Sequence, residues 1–398
     1  MLKTTKISII IILFITLFFK KVYSQDPVFS QINTSMNFFN PAMAGISNNY
    51  SFKFIRRDQW MKIPSKFLTN GFSFESTVLG KAAFSLSYLQ NLEGYLSYKN
   101  QNLNFSFGYD VQILNGLNAR LGFAGHLSRR SIDMSNISFF GNFDPILGNI
   151  NTVNFSNQNF IQETVPDISS GLVINYRRIN FSKKRRFSFN SFRLGGSLNN
   201  ILKQEKGIIT SSVNYTNNSG IAPFPQKFTI YGYNELTYNN LSIKPKIFTF
   251  RQSYFYQKTG SLITHQFNFI DIDFGSVNIG GAFRFQGSNI NKLIKRESLI
   301  LYLGLQFFKK DHSISVMGSY DFTTSNLTNI NSGGTFELTL IYESINGGIF
   351  DSFVSESKLK KWKKKQVQCS RLGRSNYSKR LEGLKNKKKL YKTNMGKI

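Results

Sequence analysis

The side chains able to do chemistry are few and scattered. Histidine occurs only at 126, 265 and 312, and Cys369 is the single cysteine, which leaves little room for a His-based metal centre and excludes a disulfide framework or a CxxC zinc site. Asp271 and Asp273 have the look of an acid/base pair, but on a strand alternate residues share one face, and no histidine accompanies them. A lumenal or solvated position suits them better. No glycine-rich phosphate cradle and no metal motif is present, so no cofactor is expected and no enzymatic activity is read from the chain. What remains is charge: Arg57, Arg284, Asp321 and Glu337 far apart in sequence, and two lysine clusters near the C-terminus. Their meaning depends on the elements that carry them.

Those elements are strands of one kind. Leu103, Phe105, Phe107, Tyr109 and Val111 alternate with Asn104, Ser106, Gly108 and Asp110. Leu117, Ala119, Leu121, Phe123 and Leu127 alternate in the same way with polar or small residues. Strict period-two alternation gives a strand with one apolar and one polar face. Leu114-Asn115-Gly116 joins the two as a three-residue hairpin loop with Gly116 left-handed, which sets Asp110 opposite Arg120 and Ile113 opposite Leu117. Similar segments recur at 50–60, 67–77, 81–90, 100–113, 117–129, 168–180, 186–199, 226–238, 242–255, 261–273, 276–286, 297–309, 313–323 and 333–343.

Most of these exceed the ~5–6 residues of a globular strand and reach the ~9–11 that cross a bilayer when tilted. The gaps after even-numbered strands are short and several after odd-numbered strands are long, as in outer-membrane barrels, where short periplasmic turns face long extracellular loops. A spanning sheet must close, because lipid cannot solvate an open edge. The expected fold is therefore all-β: a transmembrane antiparallel β-barrel of about 14 strands, apolar side to lipid, with both termini in the periplasm. A secreted soluble β-protein, with its apolar face buried between two sheets, is the alternative reading. The 40 Phe and 18 Tyr speak for a large lipid-facing surface.

Within that frame the scattered charges converge. Tyr50, Phe52 and Phe54 set the outward phase of the first strand, so Arg57 points inward near its extracellular end. The same argument turns Asp321 and Glu337 inward on the last two strands, and the first and last strands meet at closure. Arg284, on the eleventh, could reach the same level. These four are expected to form one lumenal polar cluster, either a contact site for cargo or a plug, or an ion-pair network holding the seam. Trp60, where the first strand leaves the membrane, reads as an aromatic-belt residue.

The chain's formal charge of +29 is uneven, with 16 Lys+Arg against 2 Asp+Glu between 352 and 398. Lys3 and Lys6, then the apolar stretch Ile7–Phe19, then Val22-Tyr23-Ser24 before Gln25 fit a secretory signal peptide. The organisation expected is a signal peptide at 1–24, an N-terminal periplasmic segment at 25–49, the barrel at 50–343 and a basic C-terminal periplasmic tail at 344–398. In the tail, Lys360, Lys361, Lys363, Lys364 and Lys365, with Lys387, Lys388 and Lys389, are candidate contacts for periplasmic partners. Export argues against nucleic acid and for acidic proteins, lipids or peptidoglycan; a solvated linker is the plainer reading.

Five landmarks together resemble one family. Gln25-Asp26-Pro27-Val28-Phe29-Ser30-Gln31, Asn40-Pro41-Ala42-Met43-Ala44-Gly45, Arg57-Asp58-Gln59-Trp60, Pro166-Asp167 with Gly171, and Ser319-Tyr320-Asp321 with Gly333-Gly334-Thr335-Phe336-Glu337 are similar to the PorP/SprF proteins. Cys369-Ser370-Arg371-Leu372 departs from that family's Cys-Pro-x-Phe end signature. The resemblance implies a non-enzymatic outer-membrane component of the type IX secretion and gliding machinery of Bacteroidetes. It also implies partners: a secreted cargo protein with a C-terminal sorting domain, and periplasmic ring components. A diffusion porin or lipid transporter on a similar barrel is the alternative.

Overall fold

The computed structural model describes the chain from Val28 to Ser344, apart from 47–49, 65–66, 79–80, 95–97, 134–142, 145–147, 150–159, 178–186, 203–224, 240–246, 289–292 and 310–311. The expected signal peptide and basic tail lie outside the described residues. Fourteen strands form a closed antiparallel barrel in which each pairs with its sequence neighbours and the last pairs with the first. They are β1 (Ser51–Gln59), β2 (Phe67–Val78), β3 (Ala82–Glu93), β4 (Tyr98–Leu114), β5 (Leu117–Asp133), β6 (Phe160–Arg177), β7 (Phe187–Asn199), β8 (Lys227–Asn239), β9 (Ile247–Thr259), β10 (Leu262–Asp273), β11 (Val277–Ser288), β12 (Leu293–Lys309), β13 (His312–Thr323) and β14 (Thr335–Ser344). No described helix is long and apolar enough to cross a membrane; the chain crosses with strands.

The alternation in the sequence becomes the two faces of the wall. On β4, Phe107 is 46% exposed while its neighbour Ser106 is 3% exposed. Phe105, Phe123, Leu303 and Phe307 are likewise exposed on the outside, a surface that only lipid can cover. Asp110 lies opposite Arg120 as expected, but the β4–β5 turn differs. A register shift between Gln112 and Leu114 pairs Leu114 with Leu117, so the loop is Asn115-Gly116 and Ile113 is the extra residue of a bulge. Gly116 takes the left-handed φ of 92° that the turn requires.

Two strand starts moved furthest. β6 begins at Phe160, well before 168, and pairs with the whole upper part of β5 up to Asp133. β9 begins at Ile247, past Pro245, whose missing N–H and fixed φ suit a strand boundary rather than a ladder position. In consequence the β9–β10 turn shortens to 260–261 with Gly260 at φ 59°, and the β8–β9 connection lengthens. The sorting of short and long loops by side is therefore looser than the sequence suggested.

A second bulge decides a more consequential matter. The β10–β11 register shifts between Asn268 and Ile270, leaving Phe269 as the extra residue. Unbroken alternation from Phe267 would have put Asp271 and Asp273 against lipid; the added residue reverses the phase and turns both inward, where they are buried.

The largest departure concerns the segment expected to lie in the periplasm. Residues 28–46 sit inside the barrel, as a short helix α1 (Ile32–Ser35) followed by 3₁₀ turns at Met36–Phe38 and Pro41–Met43. Val28, Phe29, Ile32, Met36, Phe39 and Met43 make an apolar core with Ile55, Val173, Tyr231, Tyr233 and Phe255 of the wall. The physical reason lies in those five wall residues. They occupy inward positions of a mostly polar face, and burial against an apolar insert removes their surface from water at roughly 25 cal/mol per Å². The described lumen is thus plugged by the chain's own N-terminal segment.

The facing assignment has a direct consequence. Arg in place of Phe107 should cost roughly 2–4 kcal/mol of barrel stability near the bilayer midplane, while Arg in place of the lumenal, part-exposed Asn104 should cost much less. Folding titrations in lipid vesicles check this; equal costs would contradict the assigned faces.

Candidate functional site

The four residues expected to converge do so. Arg57 on β1 stands directly opposite Glu337 on β14 in the closing seam. Its guanidinium Nη1 lies 3.2 Å from Asp321 Oδ2 and 3.6 Å from Glu337 Oε2. Arg284, from β11, reaches the same Asp321 oxygen at 2.9 Å. All four residues are at most 2% exposed. The seam-bracing and plug-contact readings turn out to be one arrangement, because these charges grip the inserted segment.

Glu337 receives the backbone of that segment with both oxygens. The N–H of Ser30 donates to Oε2 at 2.7 Å and the N–H of Gln31 to Oε1 at 3.0 Å. The Ser30 hydroxyl donates to Asp321 Oδ2 at 2.8 Å while accepting from Arg57 Nη1 at 2.6 Å. Gln266 donates to the Ser30 carbonyl at 2.7 Å, and Arg284 Nε donates to Gln266 Oε1 at 3.1 Å. Charge-assisted bonds of this kind are roughly twice as strong as neutral ones. Removing one member of such a buried set typically costs ~3–5 kcal/mol, because the partner charge is left stranded.

A second clamp holds the other end. Gly45 donates its N–H to Glu75 Oε2 at 2.8 Å, and Lys53 bridges Glu75 Oε1 at 3.4 Å to Asn37 Oδ1 at 2.8 Å. Gly45 has φ 58°, and a Cβ there would run into Ala83, so glycine is required for both reasons.

Between the clamps, Asn40-Pro41-Ala42 lies flat on the wall. The Asn40 side chain accepts from Ala42 N at 2.9 Å and donates to Gly196 O at 3.1 Å. Ser197 Oγ and Asn199 Nδ2 both donate to the Phe39 carbonyl, at 2.7 and 3.0 Å. Gly122 and Gly171 form the floor: a Cβ on the first would strike the Ala42 backbone and on the second the Asn40 side chain. This contact explains why the Asn-Pro-Ala segment and Gly171 belong to one motif set. Gly122, Glu75 and Lys53 were not singled out from the sequence. Their only signal was a glycine or a charge at inward positions, which an open aqueous lumen explains equally well.

Other residues named from the sequence take quieter places. Asp271 and Asp273 flank the buried Arg251, at 3.0 and 3.6 Å from its Nη2, in a lumenal ion-pair group on β9 and β10. His126 contacts Asn200 and Ser169, His265 contacts Tyr254, and His312 contacts Tyr342, so the three histidines stay apart. Trp60 ends β1 at φ 57°, its ring edge-on to Phe67 with centroids 5.0 Å apart. Beside it Gly333, at φ 72°, lets the chain pass close to Lys62, and Gly334, at φ 66°, lets it pass close to Tyr320. The lysine clusters of the tail lie outside the described residues.

A family model described as "Type IX secretion system membrane protein PorP/SprF" matches residues 21–342. Among solved structures, the NanC porin is similar at 8% identity and a TM-score of 0.32, over 74% of this chain and 98% of its own. A FadL homologue from Pseudomonas aeruginosa is similar at 10% identity and a TM-score of 0.36, over 78% of this chain and 92% of its own. The β domain of the Bordetella autotransporter BrkA is similar at 12% identity and a TM-score of 0.33, over 75% and 98%. No curated protein matches the chain.

The clamp geometry yields a test. Gly122→Val should expel the Asn40–Ala42 contact, and Glu337→Ala should free the Ser30–Gln31 backbone, while the barrel itself stays closed. A cysteine placed at Ser35 should then become reactive to a bulky water-soluble maleimide in either background, having been protected without them. Continued protection would show that the segment does not need these contacts.

Proposed function

Because the chain belongs to the PorP/SprF family of type IX secretion system membrane proteins, we propose that it is a non-enzymatic outer-membrane scaffold that supports export or surface anchoring of a secreted protein. The observation that carries this reading is the plug. Residues 28–46 fill the lumen and are fastened by two buried charged clamps. A diffusion channel is poorly served by a fixed insert whose removal strands charges in the wall. The rival reading as a porin or lipid transporter loses support for that reason. A cargo carrying a C-terminal sorting domain, such as a gliding adhesin, fits the family's role.

In this reading both termini face the periplasm, since an even number of strands returns the chain to its starting side. The basic tail then extends from the end of β14 toward the periplasmic ring components of the machine, with Lys360, Lys361, Lys363, Lys364, Lys365, Lys387, Lys388 and Lys389 meeting acidic surfaces or peptidoglycan. Outer-membrane lipid covers the apolar exterior.

Deleting the gene should remove a surface protein while small-solute uptake stays intact, and the purified barrel should be nearly silent in planar bilayers. Steady conductance of the intact protein, with the surface proteins unchanged in the deletion strain, would support the porin instead.

The tail makes a separate claim. A chain stopped after Asp351 should still insert as a barrel, because β14 already completes the sheet at Ser344. It should nonetheless co-purify poorly with periplasmic partners. Changing the two lysine clusters to glutamine, or raising the salt so that the Debye length falls well below about 8 Å, should weaken co-purification similarly. Full retention of partners would reduce the tail to a linker.

A further inference from the structure

Above the plug, at the end of the barrel where the odd-numbered strands finish, the lumen opens into a cavity with an unusual lining. Asn91, Asn100, Asn102, Asn104, Asn199 and Gln257 contribute side-chain amides from four different strands, and Phe29, Phe38 and Phe39 of the plug contribute aromatic rings. The rings form one cluster, with Phe29 centroids 5.5 Å from Phe38 and 5.9 Å from Phe39. Among the described residues the ionisable ones in the lining are His126, Arg130 and Lys227, with no carboxylate.

Several amides in the lining carry hydrogen-bonding atoms with no partner among the described residues. Asn37 Nδ2, Asn100 Oδ1 and Gln257 Oε1 are all buried and unpaired, and all three residues line this one cavity. Their side chains are between 4% and 7% exposed. Leaving a buried polar atom unpaired is costly, and such atoms mark places where a ligand or solvent completes the network.

The geometry points to a binding site for an acidic saccharide, a ligand class that goes beyond the scaffold role. Each sugar hydroxyl both donates and accepts, which matches amides that offer both functions without charge. The C–H face of a sugar ring matches the half-buried ring of Phe38, which borders the cavity while Phe29 and Phe39 behind it belong to the plug's apolar core. The all-basic set of ionisable groups favours a carboxylate-bearing sugar over a neutral one and disfavours an amino sugar. An extended peptide could meet the amides too, so a Ser/Asn-rich peptide is one of the competitors in the test. The site's facing the cell exterior rests on the orientation proposed above; the binding itself does not.

The test is calorimetry on the full-length purified protein in detergent, with tetragalacturonate, N-acetylated chitotetraose and fully deacetylated chitotetraose as probes. Tetragalacturonate should bind most tightly, the neutral tetramer more weakly and the cationic one not at all. Asn100→Leu and Gln257→Leu should each weaken tetragalacturonate binding by about tenfold or more. Asn100→Asp, which keeps the shape and adds a negative charge, should weaken the acidic probe more than the neutral one. Gln306→Leu, another buried lumenal amide that lies outside this cavity, should leave binding unchanged. Heat-dependent gel mobility confirms that each variant remains a folded barrel. Displacement of the probe by polysaccharide released from the cell's own envelope would identify that source, and failure to displace it a free saccharide. The proposal is overturned if no saccharide binds at millimolar concentration, if Gln306→Leu weakens binding as much as Asn100→Leu, or if a Ser/Asn-rich peptide binds more tightly than tetragalacturonate. Because the scaffold role predicts nothing about saccharides, these failures would leave it standing.

Discussion

A single carboxylate ties the structure together. Glu337 takes the backbone N–H groups of Ser30 and Gln31 on its two oxygens while facing Arg57 across the seam where the sheet closes. A fully buried carboxylate cannot stand alone; its charge needs Arg57, and Arg57 in turn shares Asp321 with Arg284. The same network therefore serves two tasks. It joins the inner faces of β1, β11, β13 and β14, and it sets the depth at which the N-terminal segment enters. Glu75 does the equivalent job at Gly45.

The plug also resolves a difficulty in the wall. A barrel of this size has an inner face too wide for side chains alone to fill, and small barrels of about eight strands mark the limit at which they can. Here the inner face is mostly Ser, Thr, Asn and charged residues, with an apolar patch of Ile55, Val173, Tyr231, Tyr233 and Phe255. The inserted segment answers both features: its Phe, Ile and Met side chains cover the patch, and its backbone groups pair with the polar wall. Gly122 and Gly171 let it lie close enough to do so.

The sequence by itself determined the faces and the count. Period-two alternation fixed which residues of β1, β4, β13 and β14 look inward, and so placed Arg57, Asp321 and Glu337 on one lumenal level, because a strand has only two faces and a closed sheet makes its first and last strands neighbours. Fourteen strands followed from the same signal. Where alternation was broken, the reading was weaker: β9 was offset because the pattern across 242–255 was poor, and the Asp271–Asp273 pair owes its inward facing to a bulge at Phe269 that periodicity alone does not announce.

Tertiary structure decided what occupies the lumen. Residues 28–46 have no sustained period, contain a helix of only four residues, and make their decisive bonds to side chains roughly 300 positions away in the chain. Local pattern cannot report such contacts. It says which way a side chain points from its own strand, but not what meets it from across the barrel, and that depends on closure bringing β1 to β14 around a segment that itself forms no strand.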